Sequence, residues 1–190
     1  VWKLLCTLGD ATVKIEVNGR QLAAMPEVFA QEIGKELLLK EALEQVQGMF
    51  DVALIDSPPS LDLLAINTYA AADAVLIPVQ TEFHSLEGLA LMQDDMARVR
   101  RRLNPQLTVL GIVPTFVDRR KRLCRDVLGV LAEKHSADLM QTVIRDNVTL
   151  AEAPSHGQSI FTYDPKSYGA QDYAALGSEV LTRLEARYDA

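Results

Sequence analysis

The sequence predicts an α/β fold in which a doubly wound, mostly parallel sheet is flanked by helices. Three short apolar runs, at 52–55, 74–79 and 107–116, lack the polar alternation of a half-exposed strand. Such runs are typical of strands that are covered on both faces in a parallel sheet. Segments whose apolar residues recur at helical spacing separate these runs. Strands that alternate with helices favour right-handed crossovers within one layered domain.

Turn and helix signals place the remaining elements. Asn18-Gly19 favours a tight hairpin turn, because both residues tolerate positive φ, so short strands are expected on either side of it. Asn104-Pro105 ends the long helix that precedes the third apolar run. A short strand is predicted at 139–144. Helices are predicted at 1–6, 27–47, 61–72, 86–102, 170–188 and from Asp118 through Lys134. A loop at 82–85 is predicted before the helix at 86–102. Leu91, Tyr173 and Leu181 are among the residues predicted to face inward.

Composition indicates one ordinary soluble domain over residues 1–190. Of the 190 residues 48% are hydrophobic and 24% are charged, and no apolar run reaches the roughly 18 residues needed to span a bilayer. Cys6 and Cys124 lack metal-ligand spacing, as do the three histidines, which favours free thiols in a reducing cytoplasm and no zinc-type site. The net charge of −7 argues against wholesale coating of nucleic acid, although it says little about local patches.

Asp56 lies at the carboxyl end of the 52–55 run, where open α/β sheets place their ligands. Pro58-Pro59 then removes two amide donors and turns the chain out of the sheet, and Gln80 takes the same position after the 74–79 run. Two interpretations of Asp56 stand side by side. It is either a carboxylate that holds Mg²⁺, directly or through water, or the N-cap of the helix that begins near residue 61.

Two long stretches carry a family resemblance. IDSPPSLDLLAINTYAAADAVLIPVQTEFHSLEGL resembles the central block of the ParA/Soj-type partitioning ATPases, the deviant Walker A proteins of the MinD/ParA superfamily. TVIRDNVTLAEAPSHGQSIFTYDPKSYGAQDYAAL resembles the carboxyl-terminal block of the same family. The resemblance implies a P-loop NTPase-like fold of the SIMIBI type, here without its N-terminal strands, with ATP and Mg²⁺ as cofactors. It also implies that Asp56 is the Walker B-like catalytic acid, acting on Mg²⁺ through water, and that Pro58 and Gln80 lie beside the nucleotide.

A second set of nucleotide contacts is implied near Asn147. This residue matches the asparagine of the family's Pro-Arg-Asn run, which contacts adenine; the alternative is an ordinary turn residue. The chain departs from the family pattern here, because Arg145 stands where proline is usual and Asp146 where arginine is usual. Contact with adenine through the backbone of residue 145 is compatible with this change, whereas base specificity is less secure.

The phosphate-binding loop of the family is not found in this sequence. A P-loop needs GxxxxGK[ST], and the nearest string, Gly34-Lys35, has Glu36 where the hydroxyl is required. Two explanations compete: the chain is the C-terminal portion of a ParA-like ATPase domain, or it is a degenerate relative that no longer binds nucleotide. The first is favoured. The intact protein is then expected to be an ATPase, and these 190 residues alone are expected to be inactive.

Nine of the nineteen Lys and Arg residues lie between Arg98 and Arg125. Guanidinium groups suit phosphate contacts, although a solvated helix end explains part of the cluster equally well. The resemblance implies that Arg120 contacts DNA without sequence preference. At a second such position this chain has Thr149 instead of arginine, and Arg145 is the nearby candidate to replace it. The predicted DNA-binding residues are Arg119, Arg120, Lys121, Arg122 and Arg125.

The resemblance implies an ATP-dependent protein of chromosome or plasmid segregation. Its ATP-bound homodimer is expected to bind DNA non-specifically and to be released when a ParB-type partner stimulates hydrolysis, in a cytoplasmic, nucleoid-associated location. The alternatives are a ParA-like ATPase that positions a protein compartment, and a non-catalytic binding module on a degenerate ATPase fold. Membrane attachment is disfavoured, because the last helix ends in RLEARYDA, which is too acidic for an interfacial anchor.

Overall fold

A computed structural model describes residues 16–17, 20–21, 33–57 and 62–188. The chain divides into two compact units, and each is described by itself. The first unit comprises Val1–Ala74 and Gln93–Thr108, and the second comprises Val75–Met92 and Val109–Ala190.

The predicted hairpin forms at the expected place. Strands β1 (Glu16–Val17) and β2 (Arg20–Gln21) pair in antiparallel fashion, with Glu16 opposite Gln21 and Val17 opposite Arg20. The hairpin prediction around Asn18-Gly19 is therefore confirmed. The helix predicted at 1–6 lies outside the described residues.

Two helices of the first unit follow. The helix predicted at 27–47 is shorter in its described part, where α1 covers Leu38–Glu44; residues 27–32 lie outside the described part. Helix α2 covers Leu63–Ala71 and is capped by Asp62, whose carboxylate accepts hydrogen bonds from two backbone amides at 3.0 and 3.1 Å. The alternative in which Asp56 caps this helix is therefore wrong, because Asp62 satisfies those amides.

Asn67 connects the start of α1 to α2 through a fully buried side chain. Its Oδ1 accepts from the backbone amide of Leu39 at 3.0 Å. Its Nδ2 donates to the carbonyl oxygens of Lys35, at 2.7 Å, and Leu63, at 3.0 Å. Backbone groups that would be costly to bury unpaired are thus satisfied by one side chain.

The strand predicted at 52–55 is wrong. The structure has only an isolated bridge residue at Leu54, which is 37% exposed, within an otherwise irregular stretch. A strand is held by ladder hydrogen bonds to its neighbours. Neither of the two sheets in the described part of the chain pairs with this run, so its apolar composition alone does not make it a strand.

Strands β3 (Ala74–Gln80) and β4 (Thr108–Thr115) form a two-stranded sheet. The Thr108 amide donates to the Asp73 carbonyl and the Thr81 amide to the Thr115 carbonyl, so both strands run in the same direction. The predictions of strands at 74–79 and 107–116 are confirmed, as is the α/β class with a parallel sheet. Between them lies α3 (Phe83–Arg102), which begins inside the segment predicted as a loop at 82–85.

The strand predicted at 139–144 is not continuous and forms only two parallel bridges. One joins Leu139 to Ile112 of β4, and the other joins Arg145 to Val117, which follows β4. Helix α7 (Tyr168–Tyr188) supplies the reason for the interruption. The Glu179 carboxylate of α7 accepts hydrogen bonds from the backbone amides of residues 141 and 142, both at 2.9 Å. A helix side chain thus takes the place of a further strand at this edge.

Arg183, one turn further along α7, reinforces the same edge. Its guanidinium donates to the carbonyl oxygens of Leu110, Asp138 and Leu139 at 3.0, 3.3 and 2.7 Å, and to Glu179 at 3.1 Å. Burial opposes ionisation of Glu179, but the backbone amides, the Thr142 side chain and the Arg183 charge together leave its pKa lowered. The carboxylate therefore stays ionised and keeps its hydrogen bonds at neutral pH.

The core of the second unit lies between β4, the interrupted strand and α7. One cluster of this core consists of the buried residues Val113, Met140, Ile144 and Leu176. The remaining helices are α4 (Arg122–Lys134), α5 (Val148–Glu152), a 3₁₀ turn (Ala153–His156) and α6 (Ile160–Tyr163).

Three residues predicted to face inward are instead exposed: Leu91 at 66%, Tyr173 at 43% and Leu181 at 53%.

We expect Asn67→Ala to lower the free energy of unfolding by about 2–4 kcal/mol, because it leaves the Leu39 amide and the Lys35 carbonyl without their partner in a buried setting. Urea denaturation followed by circular dichroism measures the change. Thr68→Ala is the matched control, because the Thr68 hydroxyl only bonds back to the Leu64 carbonyl within the same helix. Equal stability of the two variants would contradict the role given to Asn67.

Candidate functional site

A cavity of about 410 Å³ lies beyond the carboxyl end of β4, in the second unit. It is bounded by two neighbouring segments, 117–120 and 143–146, which the Val117–Arg145 bridge holds side by side. This is the edge at which parallel α/β sheets bind their ligands. The lining residues are Val117, Asp118, Arg119, Arg120, Val143, Arg145, Asp146 and Tyr168.

Phe116, between β4 and the cavity, has a backbone φ of 52°, which is unfavourable for a bulky residue. The Thr81 hydroxyl donates to the Phe116 carbonyl at 3.1 Å, and the Thr81 amide bonds to the Thr115 carbonyl. These contacts from the end of β3 hold the strained conformation. A turn of this kind redirects the chain, so the residues that follow reach the cavity wall.

Arg145 forms a fixed wall of the cavity. Its Nη2 and Nε donate to the Asp172 carboxylate at 2.6 and 2.9 Å, and its backbone amide donates to the same group at 2.9 Å. The guanidinium also lies over the Tyr168 ring, 4.1 Å from the centroid. The hydrogen bonds to Asp172 raise the pKa of Arg145. Because Asp172 compensates its charge, the structure does not favour Arg145 as the substitute phosphate contact for Thr149.

Asn147 caps α5 beside this wall. Its Oδ1 accepts from the Thr149 amide at 2.9 Å and from the Thr149 hydroxyl at 2.5 Å. The Asn147 oxygen is therefore used in the helix cap, as expected of an ordinary turn residue. Its Nδ2 makes no hydrogen bond within the described part of the chain. Thr149, where the family has arginine, has a structural task in this cap.

Asp118 and Arg120 form a close ion pair at the opposite wall. Arg120 Nε donates to Oδ1 at 2.8 Å and Nη2 to Oδ2 at 2.9 Å, and the Arg120 amide donates to Oδ1 at 3.0 Å. The side-chain and backbone hydrogen bonds from Arg120 lower the pKa of Asp118 from 3.8 to about 2. The Arg120 side chain is nevertheless 91% exposed. A phosphate that binds this guanidinium must therefore compete with Asp118.

The other predicted DNA-binding residues differ in how far their charge is used internally. Arg125 donates from Nη1 to the carbonyl oxygens of Arg119, at 2.8 Å, and Arg120, at 3.0 Å, and so stabilises the loop that carries the others. Lys121 lies 3.5 Å from Asp146 and Arg122 lies 3.7 Å from Asp126, with all four side chains largely exposed. The Arg119 side chain forms no ion pair among the described residues.

The remaining predicted residues lie elsewhere. Gln80 is the exposed last residue of β3 in the second unit, and Asp56 is exposed on the irregular stretch of the first unit. Pro58 lies outside the described residues. No group of three His, Cys, Asp or Glu side chains that could hold a metal ion occurs in the described part. A single exposed carboxylate fits a cation held through water, whereas direct coordination needs more oxygen ligands.

Sequence reasoning missed Tyr168 and Asp172, which orient Arg145. Their signal was present, because an acid four residues after an aromatic residue lies on the same face of a helix. Asp172 is only 8% exposed, and an acid so placed in an amphipathic helix indicates a buried cationic partner. The partner itself comes from a segment 27 residues away.

Comparison with known proteins identifies the family. Residues 9–109 match the family model described as an AAA domain. The chain is 38% identical over 187 residues to the chromosome partitioning protein ParA of Caulobacter vibrioides, covering 94% of this chain and 70% of that protein. The chain belongs to the ParA/Soj family. It is also 42% identical over 166 residues to the sporulation initiation inhibitor protein Soj of Bacillus subtilis, covering 87% of this chain and 64% of Soj.

A solved structure supports the same fold for this ParA/Soj chain. The cobyrinic acid a,c-diamide synthase of Mycobacterium smegmatis, with bound ADP and magnesium, has a TM-score of 0.70 and 29% identity, covering 86% of this chain and 59% of that one. The predicted P-loop NTPase-like fold is thus confirmed. The chain spans about three fifths of the length of the first curated relatives that it matches. No helix in the described residues is both long and apolar enough to cross a membrane.

We expect Arg120→Gln to return the pKa of Asp118 from about 2 toward its ordinary value of 3.8, because the charged hydrogen bonds are lost. With the lowered pKa, the pair's stabilisation is present above about pH 4 and is lost as the pH falls toward 2. Carboxyl ¹³C NMR of Asp118 measures the titration. Arg122→Gln is the control, since Arg122 pairs with Asp126 instead. An unchanged Asp118 pKa in Arg120→Gln would contradict the assignment.

Proposed function

We propose that this chain is part of an ATP-dependent DNA segregation protein. The observation that carries the proposal is the 38% identity to a chromosome partitioning ParA across 94% of the chain. Relatives at 40–41% identity are named chromosome-partitioning ATPases. In this proposal the ATP-bound homodimer binds DNA without sequence preference, and a ParB-type partner stimulates hydrolysis and releases it.

The cavity beside Arg145 is the proposed site of the adenine base. Its volume of about 410 Å³ lies in the range of small-ligand pockets. Five of its eight lining residues are charged, and Val117, Val143 and Tyr168 supply the apolar and aromatic surface on which a base would lie. Because the backbone amide of Arg145 donates to Asp172, the carbonyl oxygen of residue 145 and the Nδ2 of Asn147 are the proposed contacts for the base edge. The Asp172 and Tyr168 contacts hold residue 145 in place, which reduces the ordering that binding would otherwise require.

Asp56, Gln80 and Pro58 are the proposed contacts on the phosphate side. Mg²⁺ neutralises charge on the phosphate oxygens when it is bound. The exposed Asp56 carboxylate would hold the ion through water, as the Walker B-like acid of the family does. Lys35 and Glu36 of this chain do not replace the GK[ST] of a P-loop, because the required hydroxyl is not there.

The 190 residues alone are expected to show no ATP hydrolysis above background, because hydrolysis depends on holding the phosphates and the sequence contains no GxxxxGK[ST] string. Phosphate release from ATP and Mg²⁺ is the measurement. Asp56→Asn of the same chain is the control, since it retains the fold and any contaminating ATPase. Turnover that the unsubstituted chain shows and Asp56→Asn loses would overturn the expectation.

DNA binding is proposed for the basic cluster of Arg119, Arg120, Lys121, Arg122 and Arg125. The support is that these cations are exposed on one loop and the helix start that follows it. Arg119 has no ion-pair partner among the described residues. The exposed Arg122 lies 3.7 Å from Asp126, a long distance for an ion pair. Guanidinium groups of this kind bind phosphates by charge and by paired hydrogen bonds. A nucleoid-associated location in the cytoplasm follows from the proposal.

In the ATP-bound dimer of the intact protein, Arg120→Glu with Arg122→Glu is expected to abolish DNA binding at low salt, because two phosphate contacts become repulsive. Fluorescence anisotropy with duplexes of two unrelated sequences measures it. Arg119→Glu with Arg122→Glu is a second variant, since it leaves the Asp118–Arg120 pair intact. The control is Lys40→Glu with Lys134→Glu, which changes the charge equally at exposed positions outside the cluster. Undiminished affinity in both test variants would refute the cluster.

A further inference from the structure

Arg145 presents a flat guanidinium group at the cavity beyond β4, and two sides of this group are occupied. Nε and Nη2, along one edge, donate to the Asp172 carboxylate. One face lies over the Tyr168 ring, 4.1 Å from the ring centroid. The Arg145 side chain is nevertheless 40% exposed. The part of the guanidinium that remains open to a ligand is therefore its second face, with Nη1 at the rim.

These contacts depend on arginine at position 145. The family resemblance indicates proline at this position, and proline has neither an amide hydrogen nor a guanidinium. A proline could not donate the backbone and side-chain hydrogen bonds that Arg145 donates to Asp172, and it could not place a cation over the Tyr168 ring. The flat group at the cavity is therefore a feature of this chain and not of the family pattern.

The position of Tyr168 indicates that the stack does more than stabilise the fold. Tyr168 is 61% exposed, so its ring contributes little to a core, yet Tyr168 and Arg145 both line the cavity. The ring on one face and Asp172 on one edge hold the guanidinium in a single orientation. A ligand that packs against the second face therefore meets a side chain that is already ordered, which reduces the entropy lost on binding.

We propose that the second face of the Arg145 guanidinium stacks on the purine base of the bound nucleotide, while Tyr168 supports the opposite face. Planar guanidinium groups stack on π systems in this way. Val117 and Val143 of the same lining supply apolar surface for the rest of the base. Because Asp172 compensates the guanidinium charge, this surface suits the flat face of a base better than a phosphate. The inference rests on the proposed function for the presence of a nucleotide, and it adds a residue that holds the base.

The test uses the intact protein with Mg²⁺ and isothermal titration calorimetry. The ligands are ADP and ribose 5-diphosphate, which has the same phosphates without the base. Arg145→Lys keeps a cation beside Asp172 but removes the flat face. It is expected to weaken ADP binding at least about fivefold and to change the affinity for ribose 5-diphosphate by no more than about twofold. Arg98→Lys is the matched control, because it makes the same exchange in an arginine that pairs with Asp95 outside the cavity.

Two further measurements separate stacking from a purely structural role. Tyr168→Ala removes the support behind the guanidinium and is expected to weaken ADP binding at least about threefold, and Tyr168→Phe, which restores the ring, is expected to restore the affinity. In the unsubstituted protein, the ¹H NMR signal of the Arg145 Nε–H is expected to move upfield when ADP binds, because the ring current of the base shields it. Ribose 5-diphosphate is expected to leave this signal in place.

Equal losses of ADP and ribose 5-diphosphate binding in Arg145→Lys would overturn the inference, since they indicate a phosphate contact. An unchanged ADP affinity in this variant, or no upfield shift on binding ADP, would overturn it as well. Circular dichroism checks the fold of Arg145→Lys, and if that variant is unfolded the comparison of Tyr168→Ala with Tyr168→Phe decides. In these cases the proposed function stands, provided that the unsubstituted intact protein binds and hydrolyses ATP. If that protein binds no nucleotide, both proposals fail.

Discussion

The second unit depends on hydrogen bonds from the backbone amides of one strand edge to carboxylates of α7. The segment 138–146 lies along β4, and its outward-facing amides at 141, 142 and 145 bond to carboxylates of Glu179 and Asp172. Buried or half-buried backbone donors must find acceptors, and here two acids on one helix supply them. Because Asp172 also binds the Arg145 guanidinium, the contact that completes the edge fixes a wall of the candidate site as well.

The basic residues illustrate how tertiary contacts divide a charge cluster. Arg120 neutralises Asp118, and Arg125 bonds to loop carbonyls, so both contribute to the shape of the loop. Arg119 extends from the same loop without an ion-pair partner in the described residues. A charge count treats these residues alike, whereas a phosphate would encounter them with different donors available. The loop is therefore both a structural element and the surface proposed to meet DNA.

Much of the fold was predictable, because apolar runs and helix spacing report burial directly. The strands β3 and β4, the helices on either side of β4 and the hairpin at Glu16–Gln21 follow such local signals. The run at 52–55 has the same apolar character, yet within the described residues it shows only a bridge at Leu54, because apolar composition does not specify which segment will supply ladder hydrogen bonds. At the candidate site, the resemblance pointed to Arg145 and Asn147. The spacing of Tyr168 and Asp172 placed both on one helix face, but nothing in the sequence paired Asp172 with Arg145, which is 27 residues away.

The family, the α/β class, the position of most helices and strands, and the residue types offered to a ligand all follow from the order of the amino acids. These depend on composition and spacing along the chain. The tertiary structure alone decided which of those residues remain available. It engages the Asn147 oxygen in a helix cap, pairs Arg145 with Asp172 and Arg120 with Asp118, and leaves the exposed Arg119 side chain without an ion pair among the described residues. The reason is that hydrogen bonds and ion pairs join groups that are distant in sequence, so their partners are set by packing.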